Sequence, residues 1–204
     1  MGVRHGRLLA LLAERGELSV AELAAQLKVS AVTVRGDLRA LVAARRVVRT
    51  LGGAALPADA AELVHSGDVV FLDDLVPVAA GLTAFAGVTV CTASLAVADV
   101  LRRAPGINLV LSGGTYDPAT GLLLDPLAGP AFANLRADVA ILGCHGYEPD
   151  GAVTGAHPGA AALWRRMAGA ARCRALVVAR GAEGRTGPVL LCASRDVDVV
   201  VRTH

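Results

Sequence analysis

Arg35 and Arg39 are basic side chains four residues apart, a spacing that places both on one face of a helix. Guanidinium groups arranged in this way can bind guanine edges or phosphate oxygens of duplex DNA. Gly36 lies beside them and leaves room for close approach. Further candidates for contact with DNA are Ser30, Thr33, Arg45, Arg46 and Arg49. The alternative is a charged face that serves protein contacts or solubility.

The residue pattern before this pair predicts two helices that would brace it. A stripe of leucines from Leu8 to Leu12 indicates a first helix, which ends at Gly16. Ser19 is followed three residues later by Glu22, the spacing of a capping box. This box predicts a second helix that runs to about Leu27.

A third helix should begin after Ser30 and reach about Ala44, with a short β-ribbon behind it. Its inward positions are expected to be Val34, Leu38, Leu41 and Val42. Val47–Leu51, ending in Gly52-Gly53, is predicted to form the ribbon of a wing. Because a helix-turn-helix sets its second helix in the major groove, residues 1–54 are expected to be a winged helix-turn-helix domain that binds double-stranded DNA.

The distribution of charge agrees with this expectation. Residues 1–54 hold nine Lys and Arg residues against four acidic ones, a formal charge of +5, whereas the whole chain carries +2, so the remainder carries −3. A basic module joined to a mildly acidic one is typical of a nucleic-acid reader attached to a part with another task. Asp37 would be repelled by phosphate, and we expect it to pair with a neighbouring arginine such as Arg45 or to cap local backbone.

Residues 55–62 are rich in Ala and Pro and are predicted to be a linker into a second domain at 63–204. There, short apolar runs alternate with helical stretches and turns. The predicted strands are Val69–Leu72, Val88–Cys91, Asn108–Leu111, Val139–Leu142, Leu176–Ala179, Val189–Leu191 and Val197–Val201. Buried parallel strands have continuous apolar runs of this kind, so the pattern favours an α/β sheet covered on both faces.

The first fifty residues resemble the helix-turn-helix of DeoR-type repressors. The resemblance rests on Arg4-x3-Leu8-x3-Leu12, on Glu22-Leu-Ala, on Ser30-Ala-Val-Thr33-Val34-Arg35-Gly36-Asp37-Leu38 and on Arg49-Thr-Leu-Gly-Gly-Ala. Gly36 and Leu51 depart from the family, which usually has a larger residue and a His at these positions. The resemblance implies a repressor of a sugar or carbohydrate operon that is relieved by a small anionic metabolite such as a sugar phosphate.

The second part resembles, more loosely, the sugar-phosphate sensor of the same family, which is similar in fold to ribose-5-phosphate isomerase. Its landmarks follow predicted strands, where open α/β sheets bind ligands. The residues that the resemblance assigns to an effector site are Asp73, Thr92, Ser94, Gly113, Gly114 and Thr154. The late lysine of the family is absent, and Arg165 or Arg180 would replace it as the phosphate partner.

Three interpretations of the second domain stay open. The pocket is retained, or it takes a different ligand because Asp74-Leu75-Val76-Pro77 carries no hydroxyl, or the domain serves only for oligomerisation. A homodimer or homotetramer is expected because palindromic operators favour two-fold partners.

An isomerase-like enzyme is the competing class, with Asp73, Asp74 and His145 as acid or base groups. The missing lysine and hydroxyls weaken it, so no catalytic residue, cofactor or metal site is expected. Cys91, Cys144, Cys173 and Cys192 show no metal spacing and are predicted to be small buried thiols. With neither a membrane span nor a signal peptide in the sequence, a cytoplasmic protein is expected.

Overall fold

The computed structural model describes residues 2–203, and the chain divides between Ala58 and Asp59 into two compact units. The boundary falls inside the segment 55–62 that was predicted as a linker. The end of that segment is already folded, because Ala60–Leu63 form a 3-10 helix capped by the Asp59 side chain. No helix among residues 2–203 is long and apolar enough to cross a membrane.

Three helices form the body of the first unit: α1 (Val3–Arg15), α2 (Val20–Leu27) and α3 (Ala31–Ala43). The leucine stripe of α1 packs on the inner faces of α2 and α3, and its Leu8 and Leu12 are buried. The capping box of α2 is confirmed: Ser19 N–H donates to Glu22 Oε2 at 2.8 Å, and Glu22 N–H donates to Ser19 Oγ at 3.2 Å. The predicted helices are thus confirmed to within about a residue at their C-terminal ends.

The wing is part of a three-stranded antiparallel sheet made of β1 (Leu18–Ser19), β2 (Val48–Thr50) and β3 (Gly53–Ala55), in the order β1-β3-β2. The sequence predicted β2, but it predicted neither β3, which pairs with β2, nor β1, which pairs with the other side of β3. A Cβ atom on Gly53 would lie 2.1 Å from the carbonyl oxygen of Leu18, so glycine is required where β1 meets β3. This contact fixes the ribbon to the helices.

The strands of the second unit are β4 (Val69–Leu72), β5 (Val88–Thr92), β6 (Ile107–Leu111), β7 (Thr115–Asp117), β8 (Leu122–Leu124), β9 (Val139–Gly143), β10 (Gly146–Tyr147), β11 (Ala152–Gly155), β12 (Arg174–Val178), β13 (Val189–Ala193) and β14 (Val199–Arg202). Six of them form a parallel sheet in the order β14-β12-β9-β4-β5-β6. The chain moves to one side of β4 for β5 and β6, and to the other side for β9, β12 and β14. The strand order therefore reverses between β4 and β9.

Helices cover both faces of this sheet: α4 (Val76–Leu82), α5 (Leu95–Leu101), α6 (Ala128–Ala133) and α7 (Pro158–Gly169). Alternate residues of one strand enter different cores. Phe71 packs with Phe132 and Trp164, whereas its neighbours Val70 and Leu72 pack in the opposite core. Because both faces are buried at the centre of the sheet, the central strands β4 and β9 consist of apolar residues and a glycine, as the sequence indicated.

One predicted strand of the α/β sheet lies elsewhere. β13 pairs with β11 in a separate antiparallel sheet ordered β10-β11-β13, and β7 and β8 form a hairpin of their own. The expectation that Val189–Leu191 belongs to the main sheet was wrong. A short apolar run predicts a strand but not its partner, since pairing depends on the path of the intervening chain.

Candidate DNA-binding face and ligand cavity

The side chain of Ser30 caps the N-terminus of α3. Its Oγ accepts from the Thr33 backbone N–H at 3.1 Å and lies 2.9 Å from Thr33 Oγ1. The cap fixes where the helix begins, and thereby which residues share each face. It also holds the Thr33 hydroxyl, which is partly exposed, at the first turn.

Arg35, Gly36 and Arg39 are exposed on α3. Among residues 2–203, neither Arg35 nor Arg39 has a hydrogen-bonding or ion-pair partner, so both guanidinium groups face solvent with their donors free. Arg49 is exposed on β2, while Arg45 and Arg46 are half-buried between α3 and the ribbon. Leu51 at the wing tip is fully exposed, with a relative exposure of 104%.

Asp37 lies on the opposite, buried side of α3. Arg4 Nε and Nη2 donate to its two carboxylate oxygens at 2.5 and 2.8 Å, and His5 Nε2 lies 3.1 Å away. The Arg4 hydrogen bond, followed by that from His5, holds the pKa of this carboxyl below its ordinary value against the effect of burial. Both partners of Asp37 come from α1, so the expectation of Arg45 was wrong. An inward position on α3 faces α1, which packs against it, rather than the segment that follows α3 in the sequence.

A cavity of about 390 Å³ opens in the second unit at the C-terminal ends of β4 and β9. These are the strands between which the order reverses, the position where open α/β sheets bind ligands. Its polar or reactive lining side chains are Asp73, Asp74, Thr120, Cys144, His145, His157 and Trp164. The start of α7 also borders it, through Ala156, Ala160 and Ala161.

Asp73 is the best-positioned acidic group of the cavity. Its Oδ2 accepts from the Gly143 N–H at 3.0 Å, which ties the end of β4 to the end of β9. Removal from water raises the pKa of the Asp73 carboxyl, the hydrogen bonds from the Gly143 and Asp74 backbone oppose the shift, and the charge of Asp74 adds to it. A hydroxyl or another donor from a ligand would therefore find a poorly hydrated acceptor here.

Thr92 and Ser94 stand behind this cavity and do not line it. Both are fully buried. Ser94 Oγ donates to Asp74 Oδ1 at 2.6 Å and accepts from the Val97 N–H at 3.1 Å, so it orients Asp74 and caps α5. Thr92 Oγ1 accepts from the Ser94 N–H at 3.1 Å. Their contacts within the protein account for their burial.

The remaining predicted effector residues lie outside the cavity lining. Gly113 and Gly114 form the turn between β6 and β7, where a Cβ on Gly114 would lie 2.3 Å from the Leu124 carbonyl oxygen. Thr154 Oγ1 accepts from the Gly187 N–H at 2.7 Å. Arg165 donates to the Leu190 carbonyl oxygen, and Arg180 is exposed beyond β12.

The cavity also contains His145, which the sequence offered only as an acid or base group of an enzyme, and two side chains that it left unassigned, His157 and Trp164. His145 lies 3.3 Å from an Arg185 guanidinium nitrogen, and Trp164, the only tryptophan of the chain, donates from Nε1 to the Gly143 carbonyl oxygen at 2.8 Å. His157 begins α7 as its N-cap residue. Nothing in the local sequence indicates that these residues meet, since they come from separate elements.

None of the four cysteines, all within the described residues, forms a disulfide. Cys91 and Cys173 are buried as predicted, but Cys144 and Cys192 are only partly buried, and Cys144 lines the cavity. Burial raises the pKa of Cys144 to about 11, so the thiol stays protonated at neutral pH. No group of residues suited to holding a metal ion is found in residues 2–203.

Two families match the sequence, and together they cover both units. The DeoR-like helix-turn-helix domain matches residues 4–60, and the DeoR C terminal sensor domain matches residues 54–203. The chain belongs to the DeoR family of transcriptional regulators. The first unit is the part of the chain that matches the DeoR-like helix-turn-helix domain. The match confirms the resemblance drawn from the α3 residues.

Several curated DeoR-family relatives are similar over most of the chain. The HTH-type transcriptional repressor CsqR of Escherichia coli is 30% identical over 74% of this chain and 67% of its own. The glycerol-3-phosphate regulon repressor of Escherichia coli is 27% identical over 74% and 70%. The HTH-type transcriptional repressor GlcR of Bacillus subtilis is 28% identical over 78% and 72%.

Proposed function

We propose that this DeoR-family chain represses an operon of carbohydrate metabolism and releases its operator when the second unit binds a small metabolite such as a sugar phosphate. The observation that carries the first half is the solvent-facing pair Arg35 and Arg39 on a capped helix. Ser30, Thr33, Gly36, Arg45, Arg46 and Arg49 would complete the contact with the operator. A two-fold homo-oligomer would match a palindromic site.

For the second half, the polar lining of the cavity favours a polyhydroxylated ligand. The carboxylates of Asp73 and Asp74 accept hydrogen bonds from hydroxyl groups. At the other side, the imidazoles of His145 and His157 can donate, and the first turn of α7 has backbone N–H groups without partners within the helix. A sugar with an anionic end fits when its hydroxyls approach the carboxylates and its anion approaches α7.

A neutral carbohydrate is the second candidate ligand. Two carboxylates at the cavity oppose a phosphate dianion, and neither Arg165 nor Arg180 is among the residues that line it. The likeness to ribose-5-phosphate isomerase stays part of the proposal, with a regulatory rather than a catalytic task.

The test uses the full-length protein and an operator found by mapping its DNA sites across the genome. Phosphorylated and neutral sugars are added to the labelled complex, and its fluorescence anisotropy and thermal stability are followed together with Trp164 fluorescence. Saturation at a hundredfold excess over Kd adds about 2.7 kcal/mol of stability. We expect one phosphorylated sugar to dissociate the complex, raise the melting temperature by several degrees and change the fluorescence of Trp164.

Asp73→Asn should weaken this response, and Asp150→Asn, an exposed carboxylate outside the cavity lining, serves as the matched control. A response to neutral sugars alone would favour the second candidate. Operator binding that no carbohydrate alters would contradict the sensing half of the proposal. A chain that binds no duplex specifically would contradict the repressor half.

A further inference from the structure

Val32 is an apolar side chain on the same face of α3 as the two free arginines. It has a relative exposure of 75%, although Val34 and Leu38, two and six residues further along the same helix, are buried. Residues 32, 36 and 39 follow the i, i+4, i+7 spacing of one helix face, with Arg35 beside them. The centre of the arginine face is therefore apolar, and the protein itself does not cover it.

Gly36, the next residue along this face, has no reason within the fold to be glycine. A Cβ atom there would meet nothing within 4 Å, and its φ is not positive. A glycine inside a helix costs about 1 kcal/mol relative to alanine. Since nothing inside the protein needs the small residue, its size matters to whatever approaches from outside.

The charge around Val32 and Gly36 indicates what that occupant is. Arg35 and Arg39 border them, and the acidic group of the same helix, Asp37, points inward to Arg4 and His5. The face is thus positive at its edge and apolar at its centre. In the major groove, phosphates and guanine edges accept hydrogen bonds, and the thymine C5-methyl group is the apolar feature of the base edges.

We propose that Val32 contacts the methyl group of a thymine in each half of the operator, and that Gly36 lets the α3 backbone approach the base edges closely enough for this contact. This inference rests on the proposed operator binding. It assigns Val32 a role in sequence preference that is separate from the arginine contacts. A thymine at a fixed offset from the guanine read by Arg35 or Arg39 follows from it.

Single replacement of thymine by deoxyuridine in the operator tests this contact, because only the methyl group is lost. We expect one thymine in each half-site to be sensitive. Its replacement should weaken binding by the wild-type chain about three- to fivefold, which corresponds to the free energy of burying one methyl group. Val32→Ala should bind the thymine operator more weakly and lose its sensitivity to deoxyuridine at that position. Such non-additivity of the two changes is the mark of direct contact.

Val3→Ala is the matched control, since Val3 on α1 is also exposed, at 85%. It should leave both the affinity and the deoxyuridine effect unchanged. Gly36→Ala should raise the stability of the free protein and weaken operator binding. Intact specific binding with no loss at any thymine, or an equal loss in Val32→Ala, overturns this inference alone. Absence of specific binding by the wild-type chain overturns the proposed function with it.

Discussion

The α3 face and the cavity of the second unit are both candidate binding sites, yet they use polar side chains in opposite ways. On α3, Arg35 and Arg39 extend into solvent with their donors free. Near the cavity, Ser94 and Thr154 form hydrogen bonds within the protein. Ser94 donates to Asp74, and Thr154 accepts from the Gly187 N–H. A polar side chain can thus either stay available to a ligand or bond to the protein itself. Only its hydrogen-bond partners show which of the two applies.

The contrast follows from how each surface is built. One helix supplies the whole α3 face, so a cap and a period of 3.6 residues determine which side chains point outward. The cavity draws its lining from the residues that follow β4, from β9, β11, β13 and α7, and from β8 with the loop before it. Neighbouring residues there are distant in sequence, and many polar groups must satisfy buried backbone before they can serve a ligand.

Removal of both arginines should have the largest effect. Arg35→Ala and Arg39→Ala should each cost about 1–3 kcal/mol of operator binding and relax the preference at one base position. Because neither side chain has an internal partner, the melting temperature should stay unchanged. Anisotropy on the mapped operator measures the loss, with Arg172→Ala, an exposed arginine of the second unit, as the control. Wild-type affinity in the double variant would show that α3 is only a solvated face.

Asp37 tests the buried side of the same helix. Asp37→Ala removes the acceptor of the Arg4 and His5 hydrogen bonds and should destabilise the first unit by about 2 kcal/mol. Since its pKa is lowered in the folded protein, this stabilisation is present above the ordinary carboxyl pKa and is lost as the pH falls through the lowered one. Amide hydrogen exchange of α1–α3 in the full chain should show weaker protection. Asp99→Asn, an exposed pair with Arg102, should change little, and unchanged protection in Asp37→Ala would refute the role assigned to the pair.

Ser94 tests whether a predicted effector residue is structural. Ser94→Ala should cost the second unit about 1 kcal/mol through loss of the α5 cap. Urea unfolding followed by Trp164 fluorescence measures the change. Ser66→Ala, which removes an exposed hydroxyl that donates to the Ala86 carbonyl oxygen, is the control for loss of a surface hydrogen bond. A ligand response lost without any loss of stability would instead place Ser94 in the binding contact.

Asp73 should give the smallest effect, and one that depends on pH. Its pKa is raised by burial, so the charged form is disfavoured in the folded state, and stability falls as the pH rises through that raised pKa. Asp73→Asn, which keeps an acceptor for the Gly143 N–H, should therefore match the wild type at about pH 3 and be the more stable protein at about pH 7. Thermal unfolding followed by Trp164 fluorescence compares the two, and a constant difference across this range would contradict the assigned cause.

Recognition of the first unit from sequence was nearly complete because its signals are local. Ser19 with Glu22, Ser30 and Gly16 mark helix ends within a few residues of where they act. The inward partner of Asp37 escaped prediction, since α1 and α3 meet only in the tertiary structure. In the second unit, the main strands were recognisable from their apolar runs, but the partner of β13 and the short strands β10 and β11 were not.

By itself, the sequence determined the capped helices, the arginine face of α3, the family and the alternation of strands and helices, because each depends on residues close together in the chain. Only the tertiary structure decided that Asp73, His145, His157 and Trp164 share a cavity, and which protein groups Thr92, Ser94 and Thr154 bond to. The physical reason is that strand order and helix packing bring these groups together across the sheet. A buried hydroxyl must then bond to whichever partner that packing places beside it.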